Sequence, residues 1–176
     1  SLGKIRTEED VIWSFAPHDI SMILSLSGAM PKNIYTDSTT IIQSGICDFA
    51  TIHMEFSKGL KGKISVSWLH PFKEQKLVVI GDKGMIVFDD TAEWTKKLAL
   101  YRHQIEDSAF GPSANKSDVE YIEVKQGEPL KCECQYFIDL ILNNVSPLTD
   151  GAEGRRVLEI LESASESKLQ NRLINL

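Results

Sequence analysis

From Asn33 to Val124 the apolar side chains recur mainly at every second position, and outside that stretch they recur three and four apart. No other feature constrains the fold as much. A period of two sends alternate side chains to opposite faces of a strand, while a period near 3.6 lines one side of a helix. Ala50, Ile52, Met54 and Phe56 alternate with Thr51, His53 and Glu55, which predicts a strand with one buried and one wet face. Lys58-Gly59-Leu60-Lys61-Gly62 makes a turn, and Ile64, Val66 and Trp68 alternate with Ser65 and Ser67 beyond it. Residues 34–43, rich in Thr, Ile and Tyr, predict a strand before these two. Residues 77–80, 85–88, 98–101 and 119–124 predict further strands, with 104–118, which hold Gly111-Pro112-Ser113, as a long loop.

The flanks are helical. Ile20, Ile23, Leu24 and Ser27 share a face, and Gly28 ends that helix. Pro17 suits its first position, because the missing N–H has no partner there anyway, which puts His18 in the first turn. The acidic run Thr7-Glu8-Glu9-Asp10 precedes or opens it. Near the other end, Leu130, Cys134, Phe137, Ile138, Ile141 and Leu142 form one apolar stripe, and Val157, Leu158, Leu161 and Ala164 form a second, with Pro147 and Asp150-Gly151 between them. Leu169 to Leu176 continues that last helix or crosses to a neighbour. Consecutive strands segregated from helices predict one α+β domain over residues 1–176, an open and mainly antiparallel sheet with helices on one face. Thr51, His53, Glu55, Ser65 and Ser67 mark its other face as wet or paired with a second copy.

The composition of this 176-residue chain, 42% hydrophobic and 25% charged, is that of an ordinary globular domain. A net charge of −6 without basic clusters argues against nucleic acid. Gly81-Asp82-Lys83-Gly84 has the spacing of a GxxG loop that clamps a nucleic-acid backbone between two helices, but β-type runs flank it here and a hairpin turn is expected. No apolar run is long enough for a membrane span, and no signal peptide opens the chain, so a cytoplasmic, reducing setting is expected. The three cysteines, Cys47, Cys132 and Cys134, are expected as free thiols, buried or half-buried. His18, His53, His70 and His103 have no zinc-like spacing, and no metal site is expected. Neither a dinucleotide fingerprint nor a P-loop nor a nucleophile elbow occurs. The start at Ser1-Leu2-Gly3, without an initiator Met, fits a piece of something longer.

The segment Trp13-Ser14-Phe15-Ala16-Pro17-His18-Asp19-Ile20-Ser21 resembles the one that opens the C-terminal domain of the glucose–fructose oxidoreductase/inositol dehydrogenase (Gfo/Idh/MocA) family. Further stretches agree in order: Ser67 to Lys73, Val79 to Gly84, Phe88-Asp89-Asp90, Glu128-Pro129-Leu130 with Glu133 and Phe137, and Thr149-Asp150-Gly151 with Leu161 to Ala164. The resemblance implies a glyceraldehyde-3-phosphate dehydrogenase-like C-terminal domain, with a Rossmann domain outside this chain holding NAD or NADP. It implies a dehydrogenase that oxidises a ring hydroxyl of a sugar or nucleotide sugar to a ketone, and a homo-oligomer. His18 stands where the family's catalytic His belongs, and a Lys of the other domain would assist it. Family members often carry Asp four residues before that His; here the position is Ser14. Trp13, Ser14 and Lys73 are the candidates for substrate contact, and Trp13 with Ala16-Pro17-His18-Asp19 resembles the nucleotide-sugar subgroup. No cofactor-binding residue is expected in this chain. The competing expectation is a ligand-binding and oligomerisation module of the same fold without catalysis.

Overall fold

The first helix starts at Asp10 rather than at Pro17. The Asp10 carboxylate accepts hydrogen bonds from the backbone N–H groups of Ile12 (3.0 Å) and Trp13 (3.3 Å), two of the four donors that a helix start leaves without intrahelical partners. The computed structural model describes residues 5–108 and 111–176; the chain start Ser1-Leu2-Gly3 and residues 109 and 110 of the expected long loop lie outside them. The elements run α1 (Val11–Ser27), β1 (Asn33–Thr39), β2 (Phe49–Glu55), β3 (Lys61–Ser67), β4 (Lys76–Gly81), β5 (Gly84–Asp89), β6 (Leu98–Tyr101), β7 (Gln104–Ser108), β8 (Gly111–Asn115), β9 (Val119–Tyr121), α2 (Pro129–Asn143), α3 (Gly151–Gln170) and β10 (Ile174–Asn175). The α+β class and the antiparallel pairing are as expected. The strands fall into two four-stranded sheets and a separate hairpin rather than one sheet.

Two compact units result, residues up to Phe72 with Ser146–Leu176, and Lys73–Val145. In the first, the sheet order is β10-β1-β2-β3, with every pair antiparallel. Ala50, Ile52 and Met54 on β2 face inwards with Ile34, Ile64 and Val66, and all are buried. Their cover is α1, through Ile12, Ala16, Ile20 and Leu24, and α3, through Ile160, Leu161 and Ala164. Gly62 permits the close approach of α1 to β3. A Cβ there would sit 3.2 Å from Met54 Cε and 3.4 Å from Ile23 Cγ2. The opposite face carries Tyr35, His53, Glu55, Lys61 and Lys63, with Glu55 ion-paired to Lys61 at 2.9 Å. Of the residues expected on this face, His53 and Ser65 are exposed and Glu55 and Ser67 half-buried, but Thr51 is buried.

Beyond α3 the chain neither continues the helix nor leaves the unit. Asn171 takes the left-handed conformation that ends a helix, and β10 then pairs with β1. Buried Ser167 joins the two: its hydroxyl donates to the Arg172 carbonyl (2.7 Å) and accepts from the Thr36 N–H (2.9 Å). Within α3, Leu158 is 51% exposed while Ile160 is fully buried, so the apolar stripe is rotated from the one the sequence suggested.

In the second unit β4, β5, β6 and β9 form an antiparallel sheet. Gly81 pairs with Gly84 across Asp82-Lys83, so this loop is the expected two-residue hairpin turn. Gly84 is required there. Its φ is +148°, and a Cβ would lie 2.4 Å from the Tyr101 carbonyl oxygen. The expected long loop at 104–118 instead holds the β7–β8 hairpin. Pro112 lies within β8, a residue that strands accept where its missing N–H faces no ladder partner. The apolar stripe of α2 is exposed, with Phe137 at 63% and Leu142 at 76%.

Candidate functional site

Because α1 begins at Val11, His18 sits about two turns into the helix, not in its first turn. The positive end of the helix dipole acts over one turn, and His18 lies beyond it. Pro17 lies inside the helix, where it removes one backbone donor. Asp10 just before the first apolar residue was the stronger start signal, and its capping bonds show why.

Ser14 and His18 are four apart and share the outer side of α1, one turn above the other. His18 is exposed, and Phe15, 38% exposed, flanks it. Asp19 is half-buried; burial pushes its carboxyl up, and the charge of His18 beside it pulls the other way. Ser14 does not bond to His18 here. Its hydroxyl donates to Glu9 Oε1 at 3.0 Å, and Arg6 ion-pairs with the same carboxylate.

Trp13 turns to the other side of the helix. Its indole N–H donates to the Ser165 hydroxyl of α3 at 3.0 Å, and its ring packs against the core. With Glu8, Glu9, Asp10, Ile46, Ser165 and Lys168 it lines a cleft of about 470 Å³. Lys73 belongs to the second unit, where its ammonium pairs with Asp90 at 2.7 Å and its side chain is 60% exposed. The structure therefore sets Ser14 and His18 one turn apart on the same side of α1 without a bond between them, places Trp13 on a different face, and leaves Lys73 in a surface ion pair.

Three residues absent from the sequence-based set organise the start of α1. Lys168 reaches Asp10 Oδ2 at 2.5 Å, with Asp10 only 9% exposed, tying α3 to the first turn. The Cys47 carbonyl accepts from the Val11 N–H at 3.2 Å. Asp48, fully buried, accepts from the N–H groups of Ile41 (2.6 Å) and Ile42 (2.8 Å) and so fixes the loop between β1 and β2. The Asp10 cap was legible as a helix-start residue, but its pairing with Lys168, far along the chain, leaves no local trace.

The cysteines divide. Cys47 is buried, while Cys132 and Cys134 are exposed rather than half-hidden. Burial, then the neighbouring Asp10, pushes the Cys47 thiol from its ordinary 9.0 up to about 11. Alkylation at pH 8 is expected to modify Cys132 and Cys134 and spare Cys47, because only an accessible thiolate reacts; mass mapping of the labelled chain checks this. The thiol's folded pKa is raised, so its contribution to stability is intact below about pH 9 and is lost as pH climbs towards 11. Among the described residues no cluster of His, Cys, Asp or Glu could hold a metal ion. No described helix is long and apolar enough to cross a membrane.

The residues present do not fit a dinucleotide. Such a cofactor rests its pyrophosphate on a free helix N-terminus that follows a parallel strand. Every strand pairing described here is antiparallel, and the N-termini of α1 and α3 are capped by the carboxylates of Asp10 and Asp150. Those charges repel a pyrophosphate. The third helix opens on Glu128-Pro129, which offers another carboxylate and one donor fewer.

Residues 4–87 match the family model of the GFO/IDH/MocA C-terminal domain. None of the curated proteins matches the sequence. Solved structures share the fold. UDP-N-acetylglucosamine 3-dehydrogenase GnnA from Acidithiobacillus ferrooxidans superposes with a TM-score of 0.74 at 19% identity, over 92% of this chain and 48% of that one. The aldose-aldose oxidoreductase from Caulobacter crescentus, solved with glycerol, gives 0.75 at 14% identity, over 99% and 50%. The WlbA dehydrogenase from Bordetella pertussis, solved with NADH and UDP-GlcNAcA, gives 0.67 at 18% identity, over 96% and 45%. The chain thus spans about half the length of these relatives. Over residues 4–87, just under half of its length, this chain is thus similar in sequence to the GFO/IDH/MocA C-terminal domain, on a fold that these structures share along nearly the whole chain.

Proposed function

We propose that this chain is the substrate-side part of an NAD(P)-dependent dehydrogenase that oxidises a ring hydroxyl of a sugar or nucleotide sugar, with His18 as the base. One observation carries this reading. The segment that bears the family resemblance lies on α1, inside the matched region, and turns His18 outwards with Ser14 one turn before it. Relatives of the same fold include dehydrogenases named for, or solved with, UDP-sugars, which supports the nucleotide-sugar class.

In the proposed reaction His18 takes the proton of the substrate hydroxyl through the ring nitrogen that carries a lone pair. A general base needs that nitrogen within hydrogen-bond reach of the hydroxyl, and an exposed position on α1 leaves it accessible. Ser14 lies beside it and has the strongest claim among the residues named for substrate contact. The indole N–H of Trp13 is committed to Ser165, and the ammonium of Lys73 to Asp90. The positive group that steadies the developing alkoxide, and the hydride acceptor itself, belong to the part of the protein outside this chain. The purified chain with a UDP-sugar and NAD or NADP is expected to give no reduction of the cofactor at 340 nm, whereas the longer protein turns over. Turnover by the chain alone would overturn the assignment of the cofactor to a separate part.

The wet face of β1–β2–β3 favours a second role, association with another copy. Tyr35, His53 and Leu173 line a recess on that face with the Glu55–Lys61 pair at its edge, a mixture of polar and apolar groups found at subunit interfaces.

A further inference from the structure

We infer that Ile41 and Ile42, in the loop between β1 and β2, form a knob on which the part of the protein that precedes this chain docks. This docking rests on the reading above in one respect only: a further part comes before residue 1, which the match to a C-terminal domain and the relatives of about twice this length support. Two large apolar side chains stand next to each other in solvent here, Ile41 64% exposed and Ile42 47%. Single exposed apolar residues are ordinary on a surface. What marks this pair is how it is held. Residues 40–48 join two antiparallel neighbours, a connection that hairpins make with about 2–5 residues. Asp48 is fully buried, and its Oδ2 accepts from the N–H groups of both isoleucines, at 2.6 and 2.8 Å. Burying a carboxylate is costly, and here it fixes the backbone directly beneath two side chains that face outwards. Isoleucine is stiff at its first torsion and loses little freedom on burial, so docking onto this knob needs little further ordering.

The place of the knob says what docks there. The segment that leads into α1 is stitched to the same loop at two points. Gln43, next to Ile42, donates from Nε2 to the Arg6 carbonyl at 2.6 Å, and the Val11 N–H donates to the Cys47 carbonyl at 3.2 Å. Whatever precedes residue 6 therefore enters this unit beside Ile41 and Ile42. Size decides between the two possible occupants. A stable contact between separate molecules buries about 800 Å² on each partner, far more than two isoleucines offer, so a second copy gains too little here. A part joined through the chain needs much less, because its docking is intramolecular and runs at a high effective concentration. The surface that receives the knob is an apolar recess on that preceding part.

The test introduces Ile41→Cys or Ile42→Cys into the longer protein and into this chain, and follows thiol labelling of each. Every rate is taken against the same cysteine unfolded in urea, and mass mapping separates it from Cys132 and Cys134. In the longer protein labelling is expected to slow by about tenfold or more, because only an accessible thiolate reacts. In this chain by itself it is expected to stay within about threefold of the unfolded rate. Ile41→Ser combined with Ile42→Ser is expected to leave the melting point of this chain unchanged, as surface substitutions do. In the longer protein the same pair is expected to speed tryptic cutting after Arg6 by about fivefold, as the docked part opens more often. Equal labelling in the two proteins, or a cutting rate that ignores the double substitution, overturns the proposal. So does protection in this chain that grows with its concentration, which would make a second copy the occupant. None of these readouts uses turnover: if the knob is protected in a longer protein that reduces no cofactor, the docking stands and the dehydrogenase reading falls.

Discussion

Replacing His18 by alanine in the longer protein is expected to lower kcat by about 10²–10⁴-fold, the range that a positioned general base supplies. KM is expected to change far less, because the lost interaction is one made as the proton moves. The fold is expected to survive. His18 is exposed on the outer side of α1, away from the buried residues Ile12, Ala16, Ile20 and Leu24 that hold the helix to the sheet, and surface substitutions of this kind cost little. An intact far-UV spectrum and melting point, beside a collapsed kcat, separate loss of chemistry from loss of structure.

The second large effect is on stability. Asp10→Ala removes the cap of α1, worth about 1 kcal/mol, and also leaves the Lys168 ammonium, 24% exposed, without its carboxylate. An unpaired charge at a mostly covered site adds to the cost, and the total is expected at roughly 2–4 kcal/mol. Asp10→Asn keeps an oxygen for the helix N–H groups and loses only the ion pair, so it is expected to cost about half as much. Adding Lys168→Met to Asp10→Ala is expected to recover part of the loss, because no charge is then stranded. Urea unfolding of these proteins together with the single Lys168→Met variant completes the double-mutant cycle; a cost below about 1 kcal/mol for Asp10→Ala would show that the pair is ornamental.

Side-chain alternation made β2 and β3 legible, because a one-residue slip would have sent Ile52, Met54, Ile64 and Val66 to the wet face. The Gly81–Gly84 turn was legible from the β-type runs on both sides of it, and the structure adds why Gly84 is needed there, beside the Tyr101 carbonyl. The errors have physical causes too. Pro17 suggested a helix start because proline favours that position, yet packing of the turns on both sides carries α1 through it. Gly111-Pro112-Ser113 suggested a loop, but a two-stranded ribbon has free edges and admits such residues. Leu158 and Ile160 are alike in composition, and only the direction in which α3 lies on β1 decides which is buried. At the candidate site, His18 and Ser14 were found by resemblance and helical spacing. Glu9 and Lys168 were not, because the bonds from Glu9 to Ser14 and from Lys168 to Asp10 exist only once the helix start and α3 are in place.

The measurement that tests the central claim most directly is kcat of the His18→Ala protein with and without added imidazole. The account predicts a deep loss, then a partial return that grows with imidazole concentration as the free ring takes over the proton. A kcat equal to that of the wild type would contradict it and leave α1 as a structural element only.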